Sequence, residues 1–110
     1  MAEYVTLRER KAAKVAAIKA GVEELAPILA DYARAHGGRF ILYGSAARGD
    51  VRYDSDVDIL ADFSMEAEPA ALAFAEEECH RLRLTADVLS WAFVGKRLRE
   101  RVGAEGRILE

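Results

Sequence analysis

Two short runs in this 110-residue chain carry residue types able to do chemistry together: Tyr43-Gly44-Ser45-Ala46-Ala47-Arg48-Gly49 and Asp56-Val57-Asp58. Gly44 stops a short apolar run, and its missing Cβ lets backbone N–H groups approach a ligand. A helical turn opening after it adds N–H donors and a partial positive charge suited to phosphate. The Ser45 hydroxyl can donate to a phosphate oxygen, and Arg48 brings five more donors one turn on. Alone, such a turn is more often purely structural. Asp56 follows Ser45 by eleven residues. On a strand, Asp56 and Asp58 project from one face, because strand side chains alternate. Two carboxylates that close repel unless a cation lies between them, and Mg²⁺ is the natural occupant. The alternative is a solvated Asp-rich turn, but the flanking Val57, Ile59 and Leu60 favour a half-buried strand.

A third acid, Asp87, lies in the apolar run Leu84-Thr85-Ala86-Asp87-Val88-Leu89. Charges are rarely placed inside sheets without a partner. If this run pairs beside Asp56-Val57-Asp58, three carboxylates meet. Such a cluster can hold two metal ions about 3.5–4 Å apart for in-line phosphoryl transfer. An edge position with Asp87 facing water is the competing reading.

The elements that must position these groups are legible in the hydrophobic pattern. Thr6 and Glu9 form a capping box before a helix. Val15, Ile18, Val22, Leu25, Leu29 and Tyr32 then recur at three- and four-residue spacing, along one face that covers either its own sheet or a partner helix. Gly37-Gly38 stops this helix, and Pro27 predicts a kink or break near Gly21 to Pro27. Arg39 to Tyr43 read as a buried strand and Ser45 to Arg48 as a helical turn. A second strand is predicted over 56–63, with Asp56, Asp58 and Leu60 on one face. A helix follows over 66–82, with Leu72, Ala75, Cys79 and Leu82 inward. A third strand is expected over 84–91 and a last helix over 93–102, and Arg107-Ile108-Leu109 is a terminal strand or tail. The order α-β-β-α-β-α predicts an α/β domain on a mixed sheet. One domain over 1–110 is expected, with a helical segment at 1–37 and a catalytic core at 38–110.

Composition narrows the function classes. At 52% hydrophobic and 32% charged, the chain is globular. A net charge of −3 argues against a nonspecific nucleic-acid binder. Cys79 is the single cysteine, which excludes an internal disulfide and points to a reducing compartment. The N-terminus lacks the apolar core of a leader, and no apolar run approaches the roughly 20 residues that span a membrane. A cytoplasmic protein is expected.

Together these residues resemble the DNA polymerase β-like nucleotidyltransferase superfamily, and within it the minimal nucleotidyltransferase (MNT) group. Gly44 to Gly49, Ser55 to Leu60 and Arg83 to Leu89 carry the likeness, and Gly106-Arg107-Ile108-Leu109 is similar to the group's usual ending. The resemblance implies that Gly44 and Ser45 hold the triphosphate of ATP, with Arg48 as an extra cation unless it pairs with Asp50 or Asp54. It implies that Asp56 and Asp58 bind Mg²⁺ and that Asp87 completes a second metal site and accepts the proton of the attacking hydroxyl. It also implies the antitoxin half of a toxin–antitoxin pair, which adenylylates a tyrosine of a helical HEPN toxin. A small-molecule (aminoglycoside-type) nucleotidyltransferase working as a homo-oligomer and a non-enzymatic binding antitoxin are the alternatives.

Four further residues read as structural. His36 suits a helix C-terminus, His80 a solvated helix face and Cys79 an apolar stripe. Trp91 serves either the core or a nucleobase stack.

Overall fold

The structure, a computed structural model, describes residues 6–110. The first five residues of the expected helical segment, and part of the leader-free reading, lie outside them. Helix α1 (Leu7–His36) opens where the Thr6 hydroxyl accepts from the Glu9 N–H at 3.1 Å. It closes at Gly37, whose left-handed backbone (φ +70°) returns an N–H to the Ala33 carbonyl. His36 sits in the last turn, stacked on Tyr32 at 3.9 Å and bonded through Nδ1 to the Tyr32 carbonyl at 2.9 Å.

The expected break at Pro27 does not occur, since α1 is one helix of 30 residues. The missing proline N–H frees only the Glu23 carbonyl, and Pro27 and Glu23 are both exposed. Water can therefore satisfy that carbonyl, while Leu25 and Leu29 on the opposite face are fully buried and hold the helix to the sheet. At 1.5 Å per residue the helix is about 45 Å long. Its first fully buried residue is Gly21; before it Ile18 packs on the core and the Lys11 ammonium sits 4.5 Å from the centre of the Tyr53 ring.

Four strands form a mixed sheet in the order β3-β2-β1-β4. Strand β1 (Arg39–Tyr43) runs antiparallel to β2 (Val57–Asp62) and to β4 (Arg107–Leu109), and β2 runs parallel to β3 (Ala86–Ser90). The C-terminal run is thus a strand and not a tail. Asp56 falls just before β2 instead of opening it, with the Val57 N–H bonded to the Thr85 carbonyl at 2.8 Å. Helix α3 (Glu68–Arg81) carries Pro69 in its first turn, where a missing N–H costs nothing. Its buried face is Ala71, Ala75 and Cys79, with Leu72 and Leu82 half-buried at the margin.

The last helix begins later than the sequence suggests. A 3-10 turn (Trp91–Phe93) and extended Val94 and Gly95 precede α4 (Lys96–Glu105). Two apolar clusters result. Phe40, Leu42, Val57 and Ile59 meet α1 and α3 on one sheet face, whereas Ile41, Tyr43 and Leu60 meet Val102 of α4 on the other. Trp91 packs on this second cluster, with Arg39 and Arg99 over its ring at 5.7 and 5.0 Å. No helix among the described residues is long and apolar enough to cross a membrane.

Cys79 is 1% exposed, and burial with nearby Glu78 and Glu76 pushes its thiol up to about 11. The native thiol should accordingly resist iodoacetamide at pH 8 and react only after denaturation, as thiol titration would show. Prompt labelling of the folded protein would contradict this packing.

Candidate active site

The helical turn α2 (Gly44–Arg48) starts directly from the end of β1 because Gly44 takes a left-handed backbone (φ +70°) that reverses the chain. The same residue leaves room for an acid. A Cβ built on Gly44 would collide with the Asp58 Oδ2 atom. Gly49 closes the turn at φ +83°, returning its N–H to the Ser45 carbonyl at 2.9 Å. Gly44 and the Asp58 carboxylate therefore stand against one another at one end of the sheet, where the turn that carries Ser45 begins.

Asp58 is the centre of the arrangement. Its Cα pairs in register with Tyr43 on β1 and with Asp87 on β3. Adjacent strands lie about 4.8 Å apart, which sets the Asp58 and Asp87 side chains side by side on one face. Asp56 precedes Asp58 by two residues at the mouth of β2. Burial and the negative charges of Asp87 and Asp56 hold the Asp58 carboxyl above its ordinary range, with Arg48 opposing. Burial, Asp58 and Asp87 likewise push the Tyr43 hydroxyl up to about 12. The three acids thus act on one another, and Tyr43 is a neighbour that sequence reasoning did not assign a role.

Asp56 and Asp87 are exposed and Asp58 is half-buried. Among the described residues, no three His, Cys, Asp or Glu side chains form a ready-made metal cage. Like charges favour such a spread, and exposed aspartates can rotate between staggered rotamers at small cost. Hard carboxylate oxygens at the mouths of adjacent strands, with a glycine clearing the space beside Asp58, suit the chemistry of Mg²⁺.

Arg48 donates from Nε to Asp50 at 3.3 Å and from Nη1 to Glu105 of α4 at 3.1 Å. Those bonds raise its already high pKa, so it stays charged. Of the two partners expected from sequence, Asp50 is used and Asp54 is not. Glu105 had no sequence signal, lying 57 positions away. A cleft of about 330 Å³ opens beside Asp56, between α1, residues 53–57 and residues 82–85. It too was not visible in the sequence.

A family model of the nucleotidyltransferase domain matches residues 22–108. The chain belongs to the nucleotidyltransferase-domain family. Its fold is shared with a toxin–antitoxin crystal structure containing AMP-PNP, at 18% identity and a TM-score of 0.59, over 84% of this chain and 72% of that one. It is shared also with a mutant of the toxin–antitoxin MntA-HpeT, in which two positions two residues apart carry Asp→Glu changes. The identity there is 14% and the TM-score 0.56, over 84% of this chain and 71% of that one. At such identities the likeness is one of fold. No curated protein matches the chain. The expected nucleotidyltransferase fold on a mixed sheet is borne out, and the nucleotidyltransferase domain takes in the Gly44–Arg48 turn and all three acids.

Proposed function

We propose that this domain transfers AMP from ATP to a hydroxyl, a tyrosine of a helical HEPN-type partner, and silences that partner as the antitoxin of a toxin–antitoxin pair. The observation that carries the reading is the register of Asp58 with Asp87, beside a glycine whose Cβ would displace Asp58. Family membership supports nucleotidyl transfer, and the two toxin–antitoxin structures of the same fold support the role.

Asp56, Asp58 and Asp87 would hold Mg²⁺, as two ions. Bound there, Mg²⁺ supplies neutralisation of charge on the transferring phosphoryl group and on the leaving pyrophosphate. The chain does the positioning. Backbone N–H groups after Gly44 and the Ser45 hydroxyl hold the triphosphate, and Arg48, kept in place by Asp50 and Glu105, adds a fixed cation. Asp87 accepts the proton of the attacking hydroxyl. The acceptor oxygen bonds to the α-phosphorus as the bond to the bridging oxygen breaks, and that electron pair leaves with pyrophosphate. Fixed charges aimed at developing charge give electrostatic stabilisation without reorganisation.

The test is intact-mass spectrometry of a HEPN-type protein incubated with this domain, ATP and Mg²⁺. The expected result is a gain of one or more AMP masses, absent with the Asp56→Ala/Asp58→Ala variant. An unchanged mass with full neutralisation by that variant would establish binding without transfer. AMP transfer to a small hydroxylated compound with no partner present would establish the small-molecule reading.

A further inference from the structure

We propose that Leu89 is a specificity-determining residue, the platform on which the ring of an aromatic acceptor lies while its hydroxyl reaches the acids. This deepens the nucleotidyl-transfer reading and rests on it.

Register carries the first part. Asp58 pairs with Tyr43 on one side and Asp87 on the other, and Leu60 pairs with Ile41 and Leu89 in the same way. Paired residues share a face, and so do residues two apart on a strand. These side chains therefore project from the sheet face on which α4 packs, opposite α1 and α3. A strand rises about 3.3 Å per residue, so Leu89 stands roughly 6.6 Å along β3 from Asp87. A phenol side chain is about as long from its hydroxyl to its Cβ. A tyrosine whose hydroxyl reaches Asp87 and whose ring runs along β3 thus lies over Leu89.

Exposure carries the second part. The chain covers most of this face itself. Ile41, Tyr43 and Leu60 are 3%, 8% and 0% exposed, packed with Trp91, Val94, Leu98 and Val102. Leu89, on the edge strand β3, is 39% exposed. One exposed leucine needs no explanation by itself. What distinguishes Leu89 is its place, as the open member of an apolar row that begins beside the candidate reaction centre. A tyrosine side chain needs apolar contact for its ring and a polar partner for its hydroxyl, and here the two stand one pleat repeat apart.

In-line geometry selects the acceptor over the nucleobase. The attacking and leaving oxygens lie on opposite sides of the phosphorus. Gly44 ends β1 against the Asp58 carboxylate, so a triphosphate held there sends pyrophosphate toward β1. The acceptor then approaches across β3, where Asp87 and Leu89 stand.

The test is a double-mutant cycle on the complex of the full chain with a HEPN-type partner whose AMP-accepting residue has been located by peptide mapping. Binding is read by anisotropy with Mg²⁺ and a non-hydrolysable ATP analogue present. Leu89→Ala is expected to weaken the unaltered partner about fivefold or more, and a partner with its accepting tyrosine replaced by alanine by less than twofold. Leu89→Met, which keeps the apolar volume, should bind like the parent. So should Ile108→Ala, which truncates a side chain of similar exposure (44%) on the same face at the other edge of the sheet. Affinity for the ATP analogue should stay within twofold throughout. Equal weakening of both partners, no weakening of either, or mapping of AMP to a serine or threonine would overturn the proposal. A matching loss of ATP-analogue affinity would assign Leu89 to the nucleobase and overturn it too. A partner that gains no AMP from the unaltered chain would instead overturn the nucleotidyl-transfer reading.

Discussion

Asp58→Asn is expected to abolish AMP transfer, by about 10³-fold or more, while leaving the protein folded. Metal-held charge is worth several kcal/mol in phosphoryl transfer, and each 1.36 kcal/mol is about tenfold in rate. Asp58 is the acid in register with Asp87 and packed beside Gly44, so its loss removes the central ligand of the candidate site. The stability effect runs the other way. A carboxyl held above its ordinary range by burial and by Asp87 and Asp56 binds its proton more tightly folded than unfolded. Its favourable contribution is therefore present at low pH and is lost as pH rises through the folded value. Without divalent ions, Asp58→Asn should be at least as stable as the parent at pH 7, with the difference shrinking as pH falls through the acid range. Added Mg²⁺ should raise the thermal midpoint of the parent and not of the variant. Calorimetry with and without Mg²⁺ across pH reads both effects, and an equal Mg²⁺ shift in the two proteins would place the ion elsewhere.

Gly44→Ala should reduce kcat/KM for AMP transfer by about 10²-fold or more, whereas Gly49→Ala should leave it within a few-fold. Both glycines have positive φ, and alanine there costs roughly 1–2 kcal/mol. They differ in what a Cβ would meet. At Gly44 it collides with the Asp58 carboxylate, and at Gly49 nothing lies within 4 Å. Displacing a reacting group by about 1 Å can cost 10²-fold, so only the first change should carry that loss. Both variants should melt lower, by roughly 4–8 °C per kcal/mol in a domain of this size. Equal kinetic losses in the two would show that the Gly44–Arg48 turn acts only through stability.

What the sequence revealed of this site follows from the range of each signal. The apolar run at Arg39–Tyr43 and the alternation around Asp58 and Asp87 are local patterns, and they led to strands that pair with the acids on one face. Pro27 misled because its cost depends on whether the freed carbonyl meets water, which the pattern of residues does not state. The late start of α4 depends on extended Val94 and Gly95, after apolar residues that read equally well as helix. The partner of Arg48 was hidden because Glu105 reaches it only when α4 folds back over the sheet. The left-handed backbone of Arg83 was hidden for a related reason. A helix end there was legible, but an arginine in the glycine position of a Schellman motif has no sequence mark. The acids and the Gly44–Arg48 turn were local, and the groups that position them were not.

Label transfer from ATP tests the central claim most directly. A HEPN-type partner, this domain and Mg²⁺ are incubated with ATP labelled at the α-phosphorus, or separately at the γ-phosphorus. Label should remain on the partner from the α position and leave as pyrophosphate from the γ position, with no transfer by Asp58→Asn. Retention of the γ label, or undiminished α-label transfer by Asp58→Asn, would contradict nucleotidyl transfer at these three acids.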